Sequence, residues 1–172
     1  RMIAPAQQWR LRRPVFDLVM KRAPCVCDRF ASAANAQLVR FNTAYPEPGA
    51  EAVDALAQQW PRGPQHRTWV NPPFALLPRV ITHLWETQAE AAVLAPIWPT
   101  AAWFMPLLGM TTEVLELPPV PLLSTTARIR GKTVEVMRNS RWRTAVFVVS
   151  GSRGRAQAAH RGKQLLRAGS RT

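Results

Sequence analysis

The tetrapeptide Asn71-Pro72-Pro73-Phe74, which closes the strand-like run Thr68-Trp69-Val70, combines residue types that can hold an exocyclic amine for methylation. The Asn71 side-chain oxygen and the Pro72 carbonyl can each accept one of the two amine hydrogens of adenine. That draws electron density onto the nitrogen and aims its lone pair at a methyl donor. Pro72 has no N–H and Pro73 fixes the turn, so the carbonyls point outward rather than into a ladder. Phe74 can stack on a base swung out of its helix. The same four residues also suit a tight turn that ends a strand, with Phe74 in the core.

Such a turn needs a sheet to carry it. Residues 9–23 read as a helix, with Pro14 near its start and Val15, Leu18, Val19 and Arg22 on one face. Cys25 to Asp28 reads as a short buried strand, 30–35 as a loop or helical turn, 41–50 as a loop carrying Pro46, Pro48 and Gly49, and Val53 to Leu56 as a short strand or turn. A helix is predicted over roughly 76–89, its apolar stripe made by Leu77, Val80, Ile81, Leu84 and Trp85. The continuous apolar run Ala91 to Ile97 suits a central parallel strand. Thr100 can cap a helix through Leu108, ended by Gly109, before a strand over 112–117. Arg128 to Val136 alternates about a glycine, a hairpin signal, and Ala145 to Val149 closes the sheet. This succession predicts an α/β fold of doubly wound pattern, a mainly parallel sheet with a C-terminal antiparallel hairpin. In such sheets ligands sit at the carboxyl ends of the strands. Asp28, Asp54 and Asn71 fall at or just after predicted strand ends, although Asp28 also suits an ordinary cap and Asp54 an ordinary turn.

The chain has 172 residues, enough for one domain with a real core. Its 47% hydrophobic and 19% charged residues exclude a chain disordered throughout. No apolar run is long enough to span a bilayer. No short apolar stretch with a small-residue cleavage site opens the chain, so no secretory signal is expected. An opening Arg1 in place of Met is what removal of an upstream segment, such as an organellar presequence, would leave.

The formal net charge is +13, and residues 128–172 hold 12 Lys and Arg against the single acid Glu135. A body close to neutral followed by a polycation points to nucleic acid, RNA or DNA, rather than to a membrane, because no amphipathic apolar face accompanies the charge. A solvated tail is the plainer use of the same residues. Arg128, Arg130, Lys132, Arg138, Arg141 and Arg143 are expected to track the sheet surface. Arg153, Arg155, Arg161, Lys163, Arg167 and Arg171 would follow a groove, from an arm over 152–172 too poor in apolar residues to fold alone. Cys25 and Cys27 are the only cysteines, and with three scattered histidines they offer no ligand set, so no metal is expected. Two thiols in a reducing intracellular compartment are the simpler reading.

The order Trp9…Pro14-Val15-Phe16, Cys27-Asp28-Arg29-Phe30-Ala31-Ser32…Asn35-Ala36, Ala52-Val53-Asp54-Ala55…Trp60, Trp69 to Phe74, then Ala95-Pro96…Trp98-Pro99…Trp103-Phe104 resembles the phage-type Dam adenine-N6 DNA methyltransferases. It looks closer still to the methyltransferase-like domain of DIRS-type retrotransposons. The resemblance covers about residues 9–151 and implies a Rossmann-like methyltransferase fold that binds S-adenosylmethionine. It also implies that Asp28, Phe30, Ala31 and Ser32 line the methionine side of that cofactor, that Asp54 sits near its adenosine, and that Asn71, Pro72, Pro73 and Phe74 hold the target adenine. The chain then divides into a methyltransferase-like domain over 1–151 and a basic arm over 152–172.

Two functions follow. The first is methyl transfer from S-adenosylmethionine to adenine N6 in nucleic acid. The second is a structural RNA-binding role beside neighbouring proteins in a large ribonucleoprotein, such as an organellar (mitochondrial) ribosome, on a co-opted methyltransferase-like fold.

Overall fold

The computed structural model describes residues 9–119 and 121–151. The basic arm expected over 152–172 lies outside the described residues.

In chain order the elements are β1 (Arg10–Leu11), α1 (Arg13–Arg22), β2 (Cys27–Ala31), β3 (Phe41–Thr43), β4 (Ala52–Val53), β5 (Thr68–Val70), α2 (Leu77–Thr87), β6 (Glu90–Pro96), α3 (Phe104–Met110), β7 (Thr111–Glu116), β8 (Pro121–Ile129), β9 (Lys132–Asn139) and β10 (Thr144–Ser150). Seven strands form one sheet in the order β4-β3-β2-β5-β6-β10-β7, and β1, β8 and β9 form a second. From β4 to β6 every neighbouring pair is parallel, whereas β10 runs antiparallel to both β6 and β7.

This corrects the expected Rossmann-like α/β fold. Among the described residues the protein is mostly β-sheet, in two sheets, with three short α-helices of 10, 11 and 7 residues. The connections explain the shortage of helix. Residues 32–40 between β2 and β3 form only turns and bends, and 44–51 between β3 and β4 carry Pro46, Pro48 and Gly49, which break a helix. The link from β4 to β5 holds only single 3-10 turns. What survives of the expectation is the mostly parallel character of the larger sheet. The hairpin also differs, because β8 pairs with both β1 and β9 in the separate sheet, so the hairpin does not join the main one.

Sequence accounts for the middle of the large sheet. All of Glu90 to Pro96 is buried, and β10 slots beside it with Val146 opposite Leu94 and Phe147 opposite Val93. One face packs Val80, Leu84, Phe104 and Leu107 from α2 and α3 against Val93 and Phe147. The other face packs Phe16 and Val19 of α1 against Trp69, Leu94 and Val148. Burying a side chain of this size contributes roughly 1.5–3 kcal/mol. Glu90, buried at the start of β6, accepts a hydrogen bond from Ser150 Oγ at 2.8 Å.

Several local expectations shift. Residues 10–11 pair with Leu123 and Ser124, so α1 begins only at Arg13 and buries Phe16 and Val19 while Leu18 stays 64% exposed. Trp85, expected on the α2 stripe, is about half exposed. Phe41–Thr43, expected as loop, is a fully buried strand. Helix α3 starts at Phe104 and runs through Gly109 to Met110. At the end of β10, Gly151 lies against the backbone of Gln88, where a Cβ would come within 2.3 Å of the Gln88 carbonyl carbon. Burial pushes the Cys25 thiol up to about 12 and the Cys27 thiol up to about 11, so both stay protonated at neutral pH.

Candidate functional site

The chain connections reverse direction between β2, which continues leftward to β3, and β5, which starts the run to β6. An open parallel sheet has a crevice at the carboxyl ends of two such strands. Here a cavity of about 810 Å³ occupies that edge. Its size falls in the range of small-molecule sites.

Asn71, Pro72, Pro73 and Phe74 follow β5 directly and all line the cavity. Pro72 is buried and Pro73 carries its carbonyl into the following turn, where it accepts from Leu76 N–H at 2.9 Å. The Asn71 Nδ2 donates to the Trp9 carbonyl at 3.5 Å, a long bond that orients the amide. Among the described residues no group donates to Asn71 Oδ1 or to the Pro72 carbonyl. Phe74 is 39% exposed and stands edge-on to Trp98 and Trp142, with ring centroids 5.3 and 5.6 Å away.

Phe30, Ala31 and Ser32, at the carboxyl end of β2, line the same cavity. The Ser32 N–H and Oγ both donate to Asn35 Oδ1, at 2.7 and 3.1 Å, which closes the loop after the strand. Asp54 lines it too, directly after β4. It adopts φ +60°, and its carboxylate accepts from Leu56 N–H at 3.2 Å, capping a 3-10 turn.

Asp28 is placed differently. It is the second residue of β2 rather than its last, and it does not line the cavity. Its carboxylate is 3% exposed and accepts from Gln37 N–H at 3.0 Å, while Oδ1 has no hydrogen-bond partner. Burial pushes its pKa up to about 6, with the Gln37 and Phe30 backbone N–H groups acting against the rise. Asp54 and Asn71 thus meet at one edge, and Asp28 sits below it, supporting the loop that carries Ser32.

The basic residues also divide. Arg128, Arg130, Lys132, Arg138, Arg141 and Arg143 are exposed on the hairpin and the turn after it. Arg138 and Arg141 reach the cavity, and Arg138 lies over the Trp9 ring at 4.0 Å. Arg143 pairs with Glu116 at 2.7 Å. Arg153, Arg155, Arg161, Lys163, Arg167 and Arg171 lie outside the described residues. Among the described residues no helix is long and apolar enough to cross a membrane.

Among the cavity residues to which the sequence reading gave no site role are Trp9, Arg29 and Trp142. Arg29 had a visible signal, a cation inside the otherwise short and mainly apolar run Cys25 to Ala31. Trp142 had one also, an aromatic between Arg141 and Arg143 at a turn. Trp9 reaches the site only through long-range pairing. No protein-family model matches the chain, and no curated protein matches it.

Proposed function

We propose that the chain is a nucleic-acid-binding, methyltransferase-like protein that moves a methyl group from S-adenosylmethionine to the N6 amine of adenine. The observation that carries this reading is the pair of open acceptors, Asn71 Oδ1 and the Pro72 carbonyl, at the edge of a large cavity. A primary amine has two hydrogens to give, and this pair offers one acceptor for each. Accepting both raises electron density on the nitrogen, and the rigid proline turn fixes the acceptors beforehand, so little reorganisation is needed when charge develops.

The cavity residues fit the cofactor in size and chemistry. Phe30, Ala31 and Ser32 on one strand end and Asp54 on another would hold it, with the Asp54 carboxylate available to hydroxyl or amine donors. When bound, S-adenosylmethionine supplies an electrophilic methyl group. The chain's own part is to bind, orient and exclude water, and no side chain acts as a covalent nucleophile. The exposed Arg128, Arg130 and Lys132 supply phosphate contacts for the polynucleotide.

The full chain, incubated with methyl-labelled S-adenosylmethionine and adenine-containing DNA or RNA, should transfer label to N6-methyladenine. Calorimetric titration with the cofactor should give heat. Neither label nor heat would leave the second reading, a structural RNA-binding component of a large assembly. The observation favouring that reading is Phe74, whose ring is engaged by Trp98 and Trp142 rather than open to a base.

A further inference from the structure

We infer that Arg29 forms a carboxylate subsite on the cavity wall, one that takes the amino-acid carboxylate of an adenosyl amino acid. This rests on reading the cavity as a cofactor site, and it assigns the cofactor's charged end to a residue with no role so far.

Arg29 is 6% exposed and lines the cavity. A buried guanidinium ordinarily meets a carboxylate, because an uncompensated buried charge is costly. Here none of the ion pairs among the described residues includes Arg29. Glu51, whose charge reaches it, is held instead by Arg40 through two hydrogen bonds of 3.1 and 2.8 Å. What Arg29 does have is uncharged. Its Nη1 donates to Asn42 Oδ1 at 3.0 Å, and its guanidinium carbon lies 5.3 Å from the Trp60 ring centroid. Its Nε has no acceptor, and neither has the Asn42 Nδ2 beside it. Asn42 and Trp60 thus fix the plane of the guanidinium while leaving it without a direct ion pair among the described residues, and Arg29 lines the cavity.

The anion that fits carries one charge. Arg79, Arg138 and Arg141 also line the cavity but are exposed, so a phosphate dianion at Arg29 would bring two negative charges to the one buried cation among the lining residues, with the Asp54 carboxylate on the same cavity. A carboxylate matches the one charge and the planar fork of donors. The amino-acid end of an adenosyl compound is such a group, and its opposite end would remain for Asp54.

Calorimetry on the full chain with S-adenosylmethionine and with decarboxylated S-adenosylmethionine tests this, because the two differ only in the carboxylate. Wild type should bind the first about ten- to a hundredfold more tightly, the worth of a charge-assisted hydrogen bond. In Arg29→Gln, which can still donate to Asn42, that preference should vanish, and in Arg29→Lys it should partly return. Equal affinities in wild type overturn the subsite while the cofactor reading stands, and that result needs no variant to fold. A preference that survives in Arg29→Gln places the carboxylate elsewhere and also overturns it. If wild type binds neither compound, the cofactor reading falls and the subsite falls with it.

Discussion

Trp142 stands edge-on to Phe74, with 5.6 Å between ring centroids and an interplanar angle of 66°. The first ring comes from the turn after β9 and the second from the turn after β5, so the pair ties the basic hairpin region to the edge of the large sheet. Trp142 is 43% exposed and sits between Arg141 and Arg143. Aromatic rings so placed offer a stacking platform to unpaired bases, worth roughly 1–3 kcal/mol per base. Trp142→Ala should therefore weaken binding of an adenine-containing single-stranded oligonucleotide by about five- to a hundredfold. Fluorescence anisotropy at fixed salt reads this directly. An increase in affinity would mean that the ring blocks the site instead.

Asn71→Ala should abolish methyl transfer with the fold intact. The side chain is half-buried, and its one hydrogen bond, to the Trp9 carbonyl, is long, so the fold loses little. Losing a preorganised acceptor at the reacting amine should raise the barrier by roughly 3 kcal/mol or more, by analogy with a lost oxyanion donor. Equal labelling rates for wild type and variant, with matching circular dichroism, would remove Asn71 from the chemistry.

Asp28 predicts a pH dependence of stability. Its folded pKa, about 6, lies above the ordinary value of 3.8 because the carboxylate is buried. The native state therefore holds the proton more tightly than the unfolded chain, and stability falls as pH rises from about 4 through about 6, then levels off. A shift of this size corresponds to something on the order of 3 kcal/mol. Asp28→Asn keeps an oxygen for the Gln37 N–H but cannot ionise. Urea unfolding at several pH values should show wild type losing ground to Asp28→Asn across that window. Parallel profiles would show that Asp28 does not carry the dependence.

The basic hairpin predicts a salt dependence. Arg128, Arg130 and Lys132 are exposed, and each phosphate they neutralise releases counterions on binding. Replacing all three by Ala should flatten the plot of log affinity against log salt by about 0.7–0.9 for each phosphate no longer neutralised. Deleting 152–172 should flatten it further, with little change in sequence preference, because phosphate contacts position rather than specify. An unchanged slope in both proteins would return the charge to a solvating role.

How much of this was legible in the sequence depends on how local each signal is. The turn after β5 was legible because a buried strand running into two prolines has few other forms. Strand β6 was legible because every residue from Ala91 to Pro96 is apolar. Strand β3 was not, because its burial depends on a partner thirteen residues earlier: Asn42 is polar, fully buried, and bonded to Arg29. Asp28 misled because the end of a strand is set by pairing, and β2 continues through Ala31 beside β3. Phe30 to Ser32, Asp54 and Asn71 to Phe74 could be named from motif order, and they line one cavity. The second sheet that brings Trp9 and Arg138 to it rests on pairing between β1 and β8, more than a hundred residues apart, which leaves no local trace.

The close seat of Gly151 on Gln88 also fixes where the charge-rich end of the chain is tethered. Strand β10 runs against its neighbours, so Thr144 faces Pro96 beside the cavity while Ser150 faces Glu90 at the far edge, and Gly151 N–H is held by the Ala89 carbonyl at 3.1 Å. Six strand steps separate the two ends, a distance of about 20 Å. On the proposed nucleic-acid-binding reading, a polynucleotide gripped both at the cavity and at Gly151 would be held at two anchorages, roughly six base steps apart at about 3.4 Å each. The length of one buried strand would then set its minimum footprint.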